Sequence, residues 1–132
     1  MIKGVDHIAI AVNSADEALS VFDNVFGLKA DHIEEIPDQG VKAATVRVGD
    51  TNIEFIEPIN PEGGVAKFLE KKGEGIHHIC IEVDNIDEEL NSLAAKGVEL
   101  IDKQARKGLA GMIGFLHPRA TKGVLIELVQ KV

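Results

Sequence analysis

The sequence predicts an α+β fold built from two tandem βαβββ modules, and a repeated strand motif is the main evidence. Segments 4–12 (GVDHIAIAV) and 75–83 (GIHHICIEV) align without a gap and share the pattern G-[VI]-x-H-I-x-I-x-V. Both segments are rich in β-branched residues, as strands are. The same alignment places Ser14 on Asn85, each three residues before a Glu, which indicates that a helix starts after each strand. A repeat of this kind indicates one structural unit used twice.

The first module is expected to contain four strands and one helix. In chain order these are a strand at 5–12, a helix at 14–26, a strand at 28–36 and a hairpin of strands at 41–48 and 52–58. Leu19, Phe22 and Phe26 form an apolar stripe along the helix, and Gly27 is a suitable residue to end it. Gly49-Asp50 between two β-branched segments predicts the tight turn of the hairpin.

The second module repeats this order after a short linking helix. We expect the linking helix at 65–72, a strand at 76–83, a helix at 85–96 and strands at 98–103, 112–116 and 124–130. Leu90, Leu93 and Ala94 are expected on the inner face of that helix. The segment 104–111 contains two glycines and two cations and is predicted to be a loop.

These elements predict a single domain covering all 132 residues. Module 1 takes about 1–60, the linker helix about 61–74 and module 2 about 75–132.

Composition excludes several function classes. The net charge of −8 argues against nucleic acid as a partner, because a phosphate backbone requires a basic face. No apolar run approaches the ~20 residues that span a bilayer, so no membrane association is expected. Cys80 is the only cysteine, which rules out an intramolecular disulfide and favours a cytoplasmic protein.

The repeat also pairs side chains that suit metal chemistry. His7 corresponds to His78, and Glu54 corresponds to Glu127 in the later strands of the two modules. Two imidazoles and two carboxylates are suitable ligands for a divalent ion such as Co²⁺, Mn²⁺, Ni²⁺, Fe²⁺ or Zn²⁺. Taken singly, a His in a half-buried strand is more often a hydrogen-bonded core residue, and Glu127 could lie on an edge strand with its carboxylate in water. The repeat favours the interpretation that these side chains are ligands.

Three segments carry a resemblance to a known family. They are 6–12 (DHIAIAV), 75–83 (GIHHICIEV), and FLHP at 115–118 followed by KGVLIEL at 122–128. With them the chain resembles the vicinal oxygen chelate superfamily of glyoxalases, bleomycin resistance proteins and dioxygenases, and within it the methylmalonyl-CoA epimerase family. The resemblance implies a glyoxalase-like fold, in which tandem βαβββ modules form a curved mixed sheet around a central metal cleft.

The resemblance also implies a function and a site. The reaction would interconvert (2R)- and (2S)-methylmalonyl-CoA by proton abstraction next to the thioester, through a metal-stabilised enolate. The ion would be bound by His7, Glu54, His78 and Glu127. Co²⁺ is the first choice, and Mn²⁺, Ni²⁺ or Zn²⁺ are alternatives. Glu127 would take one of the two proton-transfer roles, and Glu54 or a bound water is the candidate for the other. The enzyme would be a homodimer acting on an acyl-CoA. Candidates for substrate binding are Gln39, Lys42, Arg106, Lys107 and Lys122, of which the four cations could meet CoA phosphates or be ordinary solvated surface charges.

The chain departs from the family pattern at one catalytic position. Some bacterial relatives carry a catalytic Glu just after a Gln-Gly-Val segment, and the matching residue here is Ala43. Those relatives tend to have Gln where this chain has Glu54. We therefore hypothesise that Glu54 replaces the missing base.

Two other functions fit the same fold. A glyoxalase I-type lyase would use a similar four-ligand site on a glutathione hemithioacetal. A metal-free binding module of small molecules would instead carry apolar or aromatic residues at the four ligand positions, and this chain carries His and Glu there. A ring-cleaving dioxygenase usually adds a Tyr beside its metal, and this chain has no Tyr.

Overall fold

A computed structural model describes the whole chain, Met1–Val132, as eight strands and three helices. The elements are, in chain order, β1 (Ile2–Ala11), α1 (Ala15–Phe26), β2 (His32–Ile36), β3 (Val41–Val48), β4 (Thr51–Pro58), α2 (Gly64–Lys72), β5 (Gly75–Val83), α3 (Ile86–Ala95), β6 (Arg106–Lys107), β7 (Gly111–Leu116) and β8 (Ile126–Lys131). None of the three helices has the length and apolar character of a bilayer-spanning segment.

The chain divides into two compact units. The N-terminal unit is His7–His77, and the C-terminal unit is Met1–Asp6 together with His78–Val132. The linking helix α2 therefore belongs to the N-terminal unit, and the two boundaries fall inside β1 and β5.

In the N-terminal unit the strands lie in the order β2-β3-β4-β1, and a helix packs on each face. β1 runs parallel to β4, whereas the other neighbours are antiparallel. One face carries Phe55 and Val46 against Phe22 of α1. The other face carries the small residues of β1 and β3, and Val65 and Phe68 of α2 pack against it. Small and bulky residues thus alternate along β1 between the two faces of the sheet.

In the C-terminal unit the strands lie in the order β5-β8-β7-β6, with β5 and β8 parallel. α3 packs on one face, where Leu90 and Ile86 meet Leu116 and Leu128. The apolar cluster on the opposite face contains only strand residues. That face is the one that carries His78 and Glu127.

Both helix starts are capped as the sequence predicts. The Ser14 hydroxyl accepts a hydrogen bond from the Glu17 amide at 3.2 Å, and the Asn85 side chain accepts one from the Glu88 amide at 3.1 Å. Gly27 ends α1 in the left-handed conformation at φ 70°. Such caps satisfy amides that the helix itself leaves without partners.

A second pair of helix contacts repeats in the two units and was not predicted. Glu57 of β4 accepts a hydrogen bond from the amide of Ala15 at 2.8 Å. At the equivalent place in the second module, Gln130 of β8 accepts one from the amide of Ile86 at 2.9 Å. Each side chain therefore connects the first residue of a helix to the last strand of the same module by a hydrogen bond.

The structure corrects three expectations about elements. The predicted strand at 98–103 is wrong, because the consecutive amides of Ile101 and Asp102 both donate to the Phe115 carbonyl, at 2.9 and 3.1 Å, whereas strand amides alternate in direction. Only the bridge from Leu100 to Leu116 remains. The strand expected at 28–36 is confined to β2, and the loop expected at 104–111 contains the short strand β6.

Two apolar residues of the helices also differ from expectation. Phe26 at the end of α1 was expected on the apolar stripe that packs on the sheet, but it is 65% exposed. Its ring contacts the ring of Phe22. Ala94 is exposed, whereas Ile86 at the start of α3 is 1% exposed and takes part in the core. The inner face of α3 is thus shifted toward its first turn.

Candidate metal centre and active site

His78 and Glu127 form a buried pair in the C-terminal unit. Cys80 of β5 lies opposite Glu127 of β8, so His78, two residues before Cys80, points to the same face as the carboxylate. The Nε2 atom of His78 lies 3.1 Å from Oε1 of Glu127. Each residue is only 8% exposed. A carboxylate buried this far requires a partner, and the imidazole supplies one.

Neighbouring residues hold the imidazole of His78 in place. Phe115 of β7 lies directly opposite Glu127, and its ring meets the His78 ring edge to face with 5.7 Å between centroids. Cys80, on the same face of β5 as His78, is fully buried in one cluster with Val129. Cys80 is thus a packed core residue.

His7 and Glu54 have the same relation to each other in the N-terminal unit. Ala9 of β1 lies opposite Glu54 of β4, and His7 lies two residues before Ala9. His7 and Glu54 are both half-buried. In each unit, therefore, a His on the first strand and a Glu on its parallel neighbour share a face at the same register.

Small residues surround Glu54 on its face. Ala9 and Ala11 are fully buried and Ala43 is 5% exposed. Thr45 of β3 lies opposite Glu54, and Ala43 is the next residue along β3 on the same face. Such diagonal neighbours lie about 7–8 Å apart between Cα atoms. The position that holds a catalytic Glu in some bacterial relatives is thus beside the carboxylate of Glu54.

The donor chemistry of these residues fits a divalent metal ion. His78 and Glu127 belong to a group of side chains whose ligand atoms lie close enough together to hold an ion. Imidazole nitrogen and carboxylate oxygen are the ligands that Zn²⁺ and its neighbours in the first transition series accept.

The predicted substrate-binding residues are distributed over several surfaces. Lys42 points away from the face of Ala43 and forms an ion pair with Asp16 at 3.4 Å. Arg106 forms an ion pair with Asp102 at 3.1 Å. Three further residues are exposed, namely Gln39 in the turn before β3, Lys107 in β6 and Lys122 in the turn before β8.

Sequence reasoning missed two residues beside the buried pair. The ring of Phe115 touches His78, and Asp102 accepts hydrogen bonds from the Phe115 amide at 2.8 Å and from Arg106 Nε at 3.1 Å. Phe115 was noticed only as part of a family motif. The strand predicted at 98–103 gave no indication of the contacts of Asp102, because these contacts depend on a bend in the backbone.

Comparison with known proteins places the chain in a family. A model of the glyoxalase/bleomycin resistance protein/dioxygenase superfamily matches residues 6–115. An ethylmalonyl-CoA/methylmalonyl-CoA epimerase of Cereibacter sphaeroides is 35% identical over 133 residues, which cover 98% of this chain and 99% of that protein. The mitochondrial methylmalonyl-CoA epimerase of Homo sapiens is 36% identical over 128 residues, which cover 96% of this chain and 73% of that protein.

The chain belongs to the methylmalonyl-CoA epimerase family.

Solved structures of epimerases agree with this assignment. A methylmalonyl-CoA epimerase in complex with methylmalonyl-CoA and NH4⁺ superimposes with a TM-score of 0.92 at 32% identity, covering 100% of this chain and 96% of that one. The predicted glyoxalase-like fold class and the resemblance to epimerases are therefore confirmed. The chain is an enzyme of the epimerase family, in the isomerase class.

Proposed function

We propose that this epimerase interconverts (2R)- and (2S)-methylmalonyl-CoA by removing and returning the proton next to the thioester. The observation that carries the proposal is the His–Glu pair present at the same register in both units. The chain therefore carries the same pair of donor side chains twice. Its relatives are named for this reaction. The proposed substrate is thus an acyl-CoA with a free carboxylate on the reacting carbon.

The proposed cofactor is a divalent metal ion held by His7, Glu54, His78 and Glu127. Co²⁺ is our first choice, and Mn²⁺, Ni²⁺ or Zn²⁺ would suit the same nitrogen and oxygen donors. When bound, the ion supplies a Lewis acid for the thioester oxygen, on which negative charge develops as the proton leaves. The short contact between His78 and Glu127 supports these two as ligands.

The proton transfers are assigned to the two glutamates. Glu54 takes the proton from one side of the reacting carbon, and Glu127 serves the other side. Glu54 is half-buried, and the side chains next to it on its face include the short ones of Ala9 and Ala43. Glu127 is packed against His78 and Phe115, so its motion is more restricted. General acid–base catalysis by such groups contributes about 10²- to 10⁴-fold in rate.

The proposal also covers substrate binding and the oligomeric state of the protein. Gln39, Lys42, Lys107 and Lys122 remain candidates for contacts with the CoA portion, whose phosphates attract cations. We also propose a homodimer in the cytoplasm, with no nucleic acid or membrane partner, and sedimentation equilibrium would measure the oligomeric state.

Solvent deuterium exchange tests the proposed reaction directly. Each epimer of methylmalonyl-CoA is incubated in D₂O with protein as purified, after chelator treatment and after restoration with Co²⁺. We expect exchange with inversion that disappears on chelation and returns with the ion. If protein shown to hold metal exchanges neither epimer, the epimerase proposal is wrong and turnover of a glutathione hemithioacetal is measured next. Absence of both exchange and metal would favour a metal-free binding module.

A further inference from the structure

Arg106 lies on the same face of the C-terminal unit as the buried His–Glu pair. Arg106 of β6 lies opposite Ile113 of β7. Ile113 and Phe115 are two residues apart on β7 and point to one face. Phe115 in turn lies opposite Glu127. The register of three strands thus brings a guanidinium, an aromatic ring and a carboxylate to one surface.

Two contacts fix where the guanidinium lies. Its carbon Cζ is 5.7 Å from the centroid of the Phe115 ring, which is the distance of a cation–π contact. The same ring is 5.7 Å from the His78 imidazole. One aromatic ring therefore contacts both the imidazole and the guanidinium. Asp102, whose side chain is 16% exposed, accepts a hydrogen bond from Nε of Arg106 and orients the side chain.

The geometry leaves the end of the guanidinium available to a ligand. The bond to Asp102 uses Nε, and the side chain is 55% exposed. The two terminal nitrogens of a guanidinium form a planar fork that matches the two oxygens of a carboxylate. The neighbouring cation Lys107 lies opposite Met112 and points to the other face of the strands. A ligand at the His78–Glu127 surface would meet Arg106 and not Lys107.

We propose that Arg106 binds the free carboxylate of the substrate and thereby selects 2-carboxyacyl thioesters over simple acyl thioesters. This inference rests on the proposed function, since it names the group that the epimerase recognises on its substrate. It replaces the expectation that Arg106 binds a CoA phosphate. A phosphate contact would require only an exposed cation, whereas Arg106 is held by a ring that also touches the imidazole of the proposed site.

Equilibrium binding separates carboxylate recognition from CoA recognition. Isothermal titration calorimetry is used to measure malonyl-CoA and acetyl-CoA binding to the unaltered protein, to Arg106→Gln, to Arg106→Lys and to Lys107→Gln. We expect Arg106→Gln to weaken malonyl-CoA binding by ~10- to 100-fold, the scale of a charge-assisted hydrogen bond, and to leave acetyl-CoA binding unchanged. Arg106→Lys should recover part of the loss, because it keeps the charge without the fork. Lys107→Gln removes an equal charge from the opposite face and should leave the ratio of the malonyl-CoA and acetyl-CoA affinities unchanged.

Three outcomes would overturn the inference. An equal loss for both ligands in Arg106→Gln would assign the residue to the CoA portion instead. An unchanged affinity for malonyl-CoA, or no preference for malonyl-CoA in the unaltered protein, would remove Arg106 from carboxylate recognition altogether. The assay does not depend on turnover. If Arg106 governs malonyl-CoA binding in a protein that exchanges no deuterium, this inference stands and the epimerase reaction is wrong.

Discussion

The two His–Glu pairs share one strand register but have different surroundings. The pair in the C-terminal unit is buried, with 3.1 Å between His78 Nε2 and Glu127 Oε1. The aromatic ring of Phe115 packs beside it. The pair in the N-terminal unit is half-buried, and Glu54 faces the small side chains of Ala9 and Ala43. The register fixes which donor atoms share a face, whereas the neighbouring residues determine how rigidly each donor is held.

This difference suggests a division of roles between the two glutamates. A carboxylate packed against an imidazole and a ring is preorganised to hold a metal ion with little movement. A half-buried carboxylate with short side chains beside it is less restricted, and we expect it to move more easily with a proton. We therefore expect the loss of either acid to be harmful, but for different reasons.

The largest effect is expected from Glu127→Gln. This substitution removes the negative charge next to His78, so both metal affinity and proton transfer should suffer. We expect turnover to fall by ~10³-fold or more, which is within the range of general acid–base catalysis. Metal content, measured by inductively coupled plasma mass spectrometry after dialysis, should fall in the same variant. Full metal content together with full turnover would contradict the role of the C-terminal pair.

A smaller effect is expected from Glu54→Gln. An amide oxygen can still contribute to a metal site, so metal content should stay close to that of the unaltered protein. Turnover should fall by ~10²-fold or more, because the amide cannot accept the proton. Steady-state kinetics and metal analysis of one preparation would check both statements. Full activity would exclude Glu54 as the base.

A second substitution sharpens the test of Glu54. Ala43 lies diagonally beside it on the same face, so Ala43→Glu in the Glu54→Gln background restores a carboxylate close to the lost one. We expect ~10-fold of the lost turnover to return, which is less than a well-placed general base supplies because the new carboxylate is displaced from the position of Glu54. The matched control is Ala43→Gln in the same background, which has the same size and no acid. Equal turnover in the two double variants would mean that the carboxylate position is not what limits the reaction.

The helix contacts of Glu57 and Gln130 permit a comparison of stability. Both accept a hydrogen bond from the first amide of a helix, but only Glu57 adds a negative charge at that end. Glu57→Ala should lower the free energy of unfolding by ~1–2 kcal/mol, and Gln130→Ala by ~1 kcal/mol. Urea denaturation followed by circular dichroism would measure both. Glu57→Gln keeps the hydrogen bond and isolates the charge, so it should cost only ~0.5 kcal/mol.

The smallest effect concerns an exposed ion pair of the C-terminal unit. Hydrogen bonds from Arg119 hold the pKa of Glu99 below its ordinary value, with the charges of Arg119 and His117 adding to this. A lowered folded-state pKa gives a contribution that is fully present above the unfolded pKa of ~4.3 and is lost as pH falls through the folded value. The unfolding free energies of the unaltered protein and Glu99→Gln should thus differ slightly at neutral pH and converge in acid. A difference that persists below pH ~2 would contradict this assignment.

Much of the fold was predictable from local sequence. The βαβββ repeat, the caps at Ser14 and Asn85 and the strand β3 were expected at the positions where the structure has them. Each depends on neighbours within a few residues, through β-branched side chains, capping side chains and turn glycines. The repeat also indicated the donors of the proposed site, because two copies of one pattern carry His and Glu at equivalent positions.

The sequence by itself therefore determined most of the elements and suggested the donor residues, and the tertiary structure decided how they are arranged. The spacing from His7 to His78 differs from the spacing between Glu54 and Glu127, so sequence spacing could not show that both pairs have one register. Strand pairing fixes that register through backbone hydrogen bonds between distant segments. The contacts of Asp102, Phe115 and Arg106 likewise depend on a bend and on three paired strands, which no local pattern encodes.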